Sequence, residues 1–471
     1  MTDEVERHHG APLRGETLAP SSPLFEGRFG RMFRTLDPFL PSDTSLRNLA
    51  GQMVEAGAGA PSGDNPDIPA GFTYLGQFID HDITFDPASS LQRENDPQAV
   101  VNFRTPRYDL DSLYGRGPAD DPFMYNQESA VPRLRGIRFL IGANVGNGRD
   151  LPRNSQGRAL IGDPRNDENL IVSQLHCAML RFHNRVVAHL AETTPLGGRN
   201  LFDRAQRLVR WHYQWVVVHD FLQRIAGRTL VNQLMPAEAT ADEARANLEF
   251  YQWQKQPFIP VEFSVAVYRF GHSMVRFDYE FNDVVPITPI FSDSRDPLAN
   301  MNGFRPLPDA WGFLWDRFFQ IGQREPQDAR KIDSRLARPL KTLPRSVVRT
   351  HRSLAERNLL RGKAFGLPSG QDIARRMNLI PLTDAQLGIV DVSAEFAGKA
   401  PLWFYILKEA ERGGGRRLGP VGARIVAEVL IGLLAGDPQS FLSQEPAFRP
   451  QPPFTRRGRF GMAELIRFAF S

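Results

Sequence analysis

The seven residues from Gly76 to Asp82 bring together side chains that acid–base chemistry requires. His81 lies between Asp80 and Asp82, and Gln77 precedes it by four residues. Residues four apart share a helix face, so we expect Gln77 and His81 to point the same way while the two aspartates diverge. The segment offers a base, a polar partner and two carboxylates, although a single helical histidine is more often a satisfied core residue.

A second polar cluster runs from Gly162 to Asn169, directly before an apolar stretch that begins near Leu170. Arg165 and Glu168 are three residues apart, so both can face one pocket. The alternative is a polar helix N-terminus, where the helix dipole favours acidic side chains.

The segment Tyr268 to Ser273 contains a histidine next to a glycine. Gly271 removes a side chain beside His272, which leaves room for a flat and bulky group. Such a histidine suits the axial ligation of haem, whose iron takes an imidazole nitrogen. A histidine packed in the core is the alternative.

The loop from Thr105 to Gly115 is rich in oxygen ligands. Thr105, Asp109 and Asp111, together with loop carbonyls, approach the six to eight oxygens that calcium takes, and Asp82 can complete the set. A turn closed by hydrogen bonds from its aspartates is the alternative.

Long helices must position these residues. Leu170 to Glu192 has one apolar stripe, and helices are also predicted for Leu201 to Ile225, Val261 to Val275 and Val421 to Leu434. Strand-like alternation is scarce. The sequence therefore predicts a mainly α fold with long loops and little β structure. We expect one large helical domain at residues 66–450, an N-terminal extension at 1–65 and a C-terminal tail at 451–471.

Composition excludes several classes of protein. The chain has 471 residues, of which 41% are hydrophobic and 23% charged, as in ordinary globular proteins. Its net charge is only +4, and its arginines are scattered along the sequence and not clustered. Nucleic acid is therefore not an expected partner. Cys177 is the single cysteine and is expected to be buried. We see no signal peptide and no apolar run long enough for a membrane span, so we expect a soluble protein, cytoplasmic or exported by another route.

Taken in order, the four segments resemble the animal-type haem peroxidases of the peroxidase–cyclooxygenase superfamily. That family shows Gly-Gln-x-x-Asp-His-Asp, a loop ending in Tyr-Gly, Arg-x-x-Glu before a helix with His-Asn-Arg, and Arg-aromatic-Gly-His. The matching segments here are Gly76–Asp82, Thr105–Gly115, Arg165–Glu168 with His183–Arg185, and Arg269–His272. The resemblance covers roughly residues 70 to 450, and the excess of arginine over lysine indicates a bacterial-type member.

The resemblance implies distal roles for the first two clusters. His81 would take a proton from hydrogen peroxide and return it to the departing oxygen, while Arg165 stabilises the charge that grows there. Gln77 would position water, peroxide or a halide. Carboxylates matching Asp80 and Glu168 form ester bonds to methyl groups of haem b in the family.

The resemblance also implies a proximal side. His272 would be the haem iron ligand, and Asn358 would hydrogen-bond its other ring nitrogen. Arg269 and Arg361 would pair with the haem propionates. The Asn358 segment departs from the family, because Lys363 to Gly366 stands where Arg-Asp-His-Gly is usual.

For calcium, the resemblance implies one ligand set built from two segments of the chain. Its members would be Asp82, Thr105, the carbonyl of Arg107, Asp109 and Asp111.

Two absences refine the expected function. Asn169 stands where some members carry a methionine that forms a sulfonium link to haem. Arg269 stands where cyclooxygenases and fungal dioxygenases carry their radical tyrosine, and Tyr268 lies about 100° away around a helix. His176 and His183, seven residues apart on one helix, suggest a second metal, but family members carry such histidines in the core.

The favoured prediction is a haem peroxidase that reduces hydrogen peroxide and oxidises halides, thiocyanate or small aromatic donors. A haem-dependent fatty-acid dioxygenase that uses Tyr268 is the alternative. A non-catalytic protein that binds haem and calcium is a third, against which His81 and Arg165 argue.

Overall fold

Apolar residues that recur every three or four positions fold into α-helices that are distributed along the chain. A computed structural model describes residues 29–55, 63–84, 104–142, 150–345, 348 and 351–471. Its α-helices are α1 (Asp43–Gln52), α2 (Gly71–Ile83), α3 (Asp111–Tyr114), α4 (Leu170–Thr193), α5 (Gly198–Val216), α6 (Gln223–Ala226), α7 (Arg228–Leu234), α8 (Ala241–Ala246), α9 (Leu354–Ala364), α10 (Gly370–Arg376), α11 (Asp384–Leu387), α12 (Leu402–Arg412), α13 (Pro420–Ala435), α14 (Phe441–Gln444) and α15 (Met462–Phe470).

Strands contribute little to the described part of the chain. They are β1 (Phe29–Gly30), β2 (Asp64–Pro69), β3 (Ile259–Pro260), β4 (Asp278–Tyr279), β5 (Thr288–Pro289) and β6 (Asp328–Arg330). They form three two-stranded sheets: β1 pairs with β3 in parallel, while β2–β6 and β4–β5 are antiparallel. The mainly α fold with little β structure is confirmed.

The core is built around α13 and the pair α2 and α4. Helix α13 packs against α6, α7, α8 and α12, and α2 packs against α4. On α2, Phe78 and Ile79 are fully buried. Gln77 and Asp80 of the helix are only partly buried, whereas His81 and Asp82 are buried with the core.

Two predicted helices are α-helical over nearly their whole length, and two are not. Leu170–Thr193 and Pro420–Ala435 match the predictions, but the helix expected to end at Ile225 contains a π-helical turn at Val217–Leu222. The helix expected at Val261–Val275 is π-helical from Glu262 to Ala266 and 3₁₀-helical from Val267 to Met274. Ala266 separates the two parts because its backbone departs from helical geometry, with φ −126° and ψ −68°.

Both flanking segments contribute side chains to the core. In the described part of the proposed extension, Leu46 and Leu49 of α1 are buried and α1 packs against α9. In the proposed tail, α15 packs along α4. Residues 1–28 of the extension lie outside the described residues, and the division of the chain at residues 65 and 450 stays a prediction. Among the described residues, no helix combines the length and hydropathy that crossing a bilayer requires.

Candidate active site

One cavity collects most of the side chains that the sequence singles out. Its empty volume, counting the open mouth, is about 1630 Å³. Two histidines contribute to its wall, His81 from α2 and His272 from the 3₁₀ segment. The other predicted site residues that line it are Gln77, Asp80, Arg165, Glu168 and Arg269.

Helix α2 distributes its polar residues as the sequence predicts. Gln77, Asp80 and His81 line the cavity, while Asp82 is fully buried beside the loop that carries Asp109. The helix ends at Ile83 because Thr84 turns to an extended backbone, and its hydroxyl returns to the carbonyl of Asp80 at 2.8 Å. Of the two residues next to His81, Asp80 therefore lines the cavity, whereas Asp82 is buried against the loop that carries Asp109.

Arg165 is held by a buried carboxylate. Its Nε and Nη2 donate to the carboxylate of Asp163 at 3.1 and 2.8 Å, and Nη2 also donates to the carbonyls of His81 and Thr84. Burial raises the pKa of Asp163, but Arg165 and Arg104 outweigh burial and hold that pKa well below its usual value. Arg165 thus lines the cavity with its position set by Asp163, a residue the sequence did not single out.

Gln77 is bonded at both ends of its side-chain amide. Its Nε2 donates to Glu168, and its Oε1 accepts from Nδ2 of Asn169 at 3.1 Å. Burial raises the pKa of Glu168 to about 7. Because one end donates and the other accepts, the orientation of the Gln77 amide is determined by its neighbours.

His272 is bonded to the asparagine that the sequence predicts. Nδ2 of Asn358 on α9 lies 2.9 Å from Nδ1 of His272, and Nη1 of Arg269 lies 3.4 Å from Oδ1 of Asn358. In this orientation the amide donates to Nδ1, which leaves the proton of the neutral ring on Nε2. Ligation of iron through Nε2 requires the amide to present Oδ1 instead, so the Asn358 side chain would turn over when haem binds.

Space beside His272 suits a flat group. A Cβ added to Gly271 would meet no other atom within 4 Å, and Gly271 lines the cavity. The predicted partner Arg361 does not line this cavity, and its guanidinium lies 5.0 Å from the ring centroid of Phe365. The residues around His272 therefore fit a haem, while contact between Arg361 and that haem stays a prediction.

Three predicted calcium ligands converge. Carboxylate oxygens of Asp82, Asp109 and Asp111 lie within 4.8 Å of one another, and Thr105 donates to Asp109 at 2.7 Å. Leu110 has a left-handed backbone with φ 56°, a conformation rare outside glycine that tends to occur at functional sites.

The electrostatics of this cluster favour a cation. Burial, followed by the charges of Asp109 and Asp111, raises the pKa of Asp82 well above its usual value. Oδ2 of Asp82 has no hydrogen-bond partner among the described residues. Arg104 supplies one positive charge, at 3.1 Å from Asp111, and a calcium ion would supply the rest.

His176 and His183 of α4, the pair that suggested a second metal, have separate environments. Nδ1 of His183 bonds the hydroxyl of Tyr114 at 3.0 Å and its Nε2 bonds the carbonyl of Ile137 at 2.9 Å, as in a satisfied core residue. His176 instead bonds Asn166, which also bonds His81. The sequence did not single out Asn166, although its position directly after Arg165 was the available signal.

Comparison with known sequences points to one family. The family model described as animal haem peroxidase matches residues 92–387. Human myeloperoxidase is 23% identical over 455 residues, covering 78% of this chain and 57% of that protein. Chorion peroxidase from Aedes aegypti is 24% identical over 317 residues, covering 64% of this chain and 37% of that protein. The chain thus spans less than two thirds of the length of these relatives.

Solved structures show the same fold. Peroxidase A from Dictyostelium discoideum superposes with a TM-score of 0.60 at 15% identity, covering 98% of this chain and 97% of that one. Fatty acid alpha-dioxygenase from Oryza sativa gives a TM-score of 0.56 at 15% identity, covering 93% and 84%. Because the family model matches more than half of the sequence, this chain belongs to the animal haem peroxidase family.

Proposed function

We propose that this protein binds haem b between its two cavity histidines, reduces hydrogen peroxide and oxidises halides, thiocyanate or small aromatic donors. The observation that carries the proposal is that His81 and His272 line one cavity. Nδ1 of each ring is bonded to an asparagine, at 2.8 Å for His81 and 2.9 Å for His272. Nε2 is therefore the nitrogen that serves the cavity in each ring, and at His272 it becomes free to bind iron once the Asn358 amide turns over. When bound, haem supplies the electrons that cleave peroxide and recovers them from the donor.

The proton transfers fall to His81. Its Nδ1 donates to Asn166, so the neutral ring carries a lone pair on Nε2. That nitrogen accepts a proton from one oxygen of hydrogen peroxide and delivers it to the other, which leaves as water. Arg165 adds a positive charge at the wall of the same cavity, where it stabilises negative charge on the leaving oxygen.

The remaining cavity residues have proposed roles toward haem and donor. Gln77, held in one orientation, positions water, peroxide or a halide. Asp80 and Glu168 line the cavity as candidates for ester links to haem methyl groups. Arg269, which also lines it, pairs with a propionate. Calcium binds the three aspartates with Thr105 and the carbonyl of Arg107.

Turnover by the haem-loaded protein tests the proposal. Peroxide consumption is measured with bromide, iodide, thiocyanate and a phenolic donor, and the products are identified. Oxidation of at least one small donor is expected. Protein that binds haem but consumes no peroxide with any of these donors would contradict the peroxidase assignment.

One observation favours a second candidate, a fatty-acid dioxygenase. Tyr268 lines the same cavity, and its hydroxyl has no hydrogen-bond partner among the described residues. A tyrosine placed there is a candidate radical carrier. Oxygen uptake with an unsaturated fatty acid, lost in Tyr268→Phe, would support this activity, and no uptake would exclude it.

A further inference from the structure

Asn166 bridges two buried histidines. Its Oδ1 lies 2.8 Å from Nδ1 of His81, and its Nδ2 lies 3.0 Å from Nδ1 of His176. Asn166 and His176 are fully buried and His81 is 5% exposed. Both polar atoms of the amide are therefore hydrogen-bonded to imidazole nitrogens. The amide links His81, which lines the cavity, to His176 on the buried side of α4.

The bridge determines where each ring holds its proton. An amide oxygen only accepts hydrogen bonds and an amide NH₂ group only donates them. Nδ1 of His81 must then carry the proton, which leaves the lone pair on Nε2. Nδ1 of His176 must be the acceptor, which places its proton on Nε2. Turning the amide over would exchange both tautomers and leave His81 unable to accept a proton at Nε2.

We infer that Asn166, anchored by His176, is a positioning residue that holds His81 in the tautomer competent for proton transfer. The inference rests on the proposed function, because it matters only if His81 acts as the base. The same 3₁₀ turn, Pro164–Asp167, carries Arg165 and Asn166, so it orients the base and places the neighbouring charge.

Packing alone does not account for this arrangement. A fully buried amide costs free energy unless its polar atoms are bonded, and an apolar side chain of similar volume would fill the same space without that requirement. Nε2 of His176 has no hydrogen-bond partner among the described residues. Among the described residues the His176 ring therefore has the one hydrogen bond to Asn166, and with Nδ2 of that amide turned toward His176, Oδ1 faces His81.

The first test is spectroscopic. Haem-loaded protein with ¹⁵N-labelled histidine is studied in its diamagnetic ferrous carbon-monoxide form, and long-range ¹H–¹⁵N spectra report which ring nitrogen is protonated. Signals are assigned by their loss in His81→Gln and His176→Phe. We expect the Nδ1–H tautomer for His81 and the Nε2–H tautomer for His176. The Nε2–H tautomer at His81 in the wild-type protein would overturn the inference without any variant.

Two substitutions then separate positioning from packing. Asn166→Leu removes both hydrogen bonds at similar volume, whereas Asn166→Asp keeps an acceptor for Nδ1 of His81. In Asn166→Leu we expect mixed His81 tautomers and peroxide consumption slowed about 10- to 100-fold. We expect Asn166→Asp to restore the Nδ1–H tautomer and most of the rate. Equal rates in wild type and Asn166→Leu would overturn the inference.

The tautomer readout keeps the two proposals apart. If the wild-type tautomers are as expected but no small donor is oxidised, the peroxidase function fails and the positioning role stands. If peroxide is consumed while His81 carries its proton on Nε2, the positioning role fails and the peroxidase function stands.

Discussion

Burial keeps the cavity histidines uncharged near neutral pH. It is the largest cause that lowers the pKa of His81 to about 4 and that of His272 to about 3, and the nearby Arg165 and Arg269 act in the same direction. A neutral imidazole can accept a proton or bind a metal ion, whereas an imidazolium can do neither. The same physical cause thus makes one histidine available as a base and the other as a ligand.

Removing the base is expected to slow the peroxide step and leave haem in place. In His81→Ala, the rate of peroxide consumption should fall about 10²- to 10⁴-fold, because no group is left to accept the proton. Haem should stay bound, because His272 is unchanged. Stopped-flow absorbance measures the rate, and the Soret band measures haem. His189→Ala is the control, since His189 is on α4 and does not line the cavity. An unchanged rate in His81→Ala would exclude His81 as the base.

At the scale of elements, one residue at a helix terminus contributes both to the stability of the fold and to the geometry of the cavity. Asn169 caps α4, with Oδ1 accepting from the backbone of Val172 at 2.9 Å, while its Nδ2 holds Gln77. One side chain therefore begins the helix and orients a residue of the cavity. A shorter side chain can separate capping from the contact with Gln77, because the cap needs only an oxygen atom close to the backbone.

Asn169→Ala should lose the cap and the contact with Gln77, whereas Asn169→Ser should keep the cap alone. We expect the alanine variant to have an unfolding free energy about 1 kcal/mol lower than the serine variant. Both variants should change the apparent affinity for halide, because in each Gln77 loses Asn169 and keeps only Glu168 as a partner. Denaturant unfolding and halide-dependent turnover measure these effects, and equal stabilities would show that the cap contributes nothing.

A second terminus makes stability depend on pH. Glu409 on α12 accepts hydrogen bonds from the backbone of Val421 and Gly422 at the start of α13. Burial outweighs these bonds and raises the pKa of Glu409 from 4.5 to about 7. The folded state therefore holds a proton that the unfolded state releases, so its contribution to stability is lost as pH rises from about 4.5 through 7.

Glu409→Gln should remove that dependence. Between pH 5 and 8 the wild-type protein should lose up to about 3 kcal/mol more stability than the variant. Thermal unfolding at a series of pH values makes the measurement. Glu249→Gln is the control, because that carboxylate is largely exposed. Parallel pH profiles for wild type and Glu409→Gln would contradict the assignment.

At the scale of the whole molecule, the acidic cluster connects the cavity to the loop before α3. Asp82 directly follows His81, and of its partners Asp109 lies in that loop and Asp111 is the first residue of α3. Three carboxylates close together, two of them buried, repel one another unless a cation compensates them. Calcium would therefore stabilise the contact between α2 and the loop and, through the chain, the position of His81.

Chelation should reveal this coupling. Removing calcium is expected to lower the thermal unfolding midpoint and the rate of peroxide consumption, and adding calcium should restore both. Asp109→Asn should reduce the response, while Asp391→Asn, an exposed acid, should not. Protein that contains no calcium and whose midpoint is unchanged by chelator would contradict the calcium site.

Local spacing was enough to predict several features correctly. Gln77 and His81 share a face of α2, Gly271 leaves open space beside His272, and α4 begins at the predicted Leu170. These features follow from the helical repeat and from the side chain that glycine lacks, which are properties of neighbouring residues. The sequence by itself therefore determined which residues occur together on one element and which motifs identify the family.

Contacts between distant segments decided the rest. Arg165 turns toward Asp163, Asn166 lies between His81 and His176, and the expected helix at Val261–Val275 becomes π- and 3₁₀-helical. Hydrogen bonds to buried polar groups and the packing of segments far apart in the chain set these details, and residue spacing carries no information about either. Only the tertiary structure could decide which nitrogen of His81 is left to take a proton.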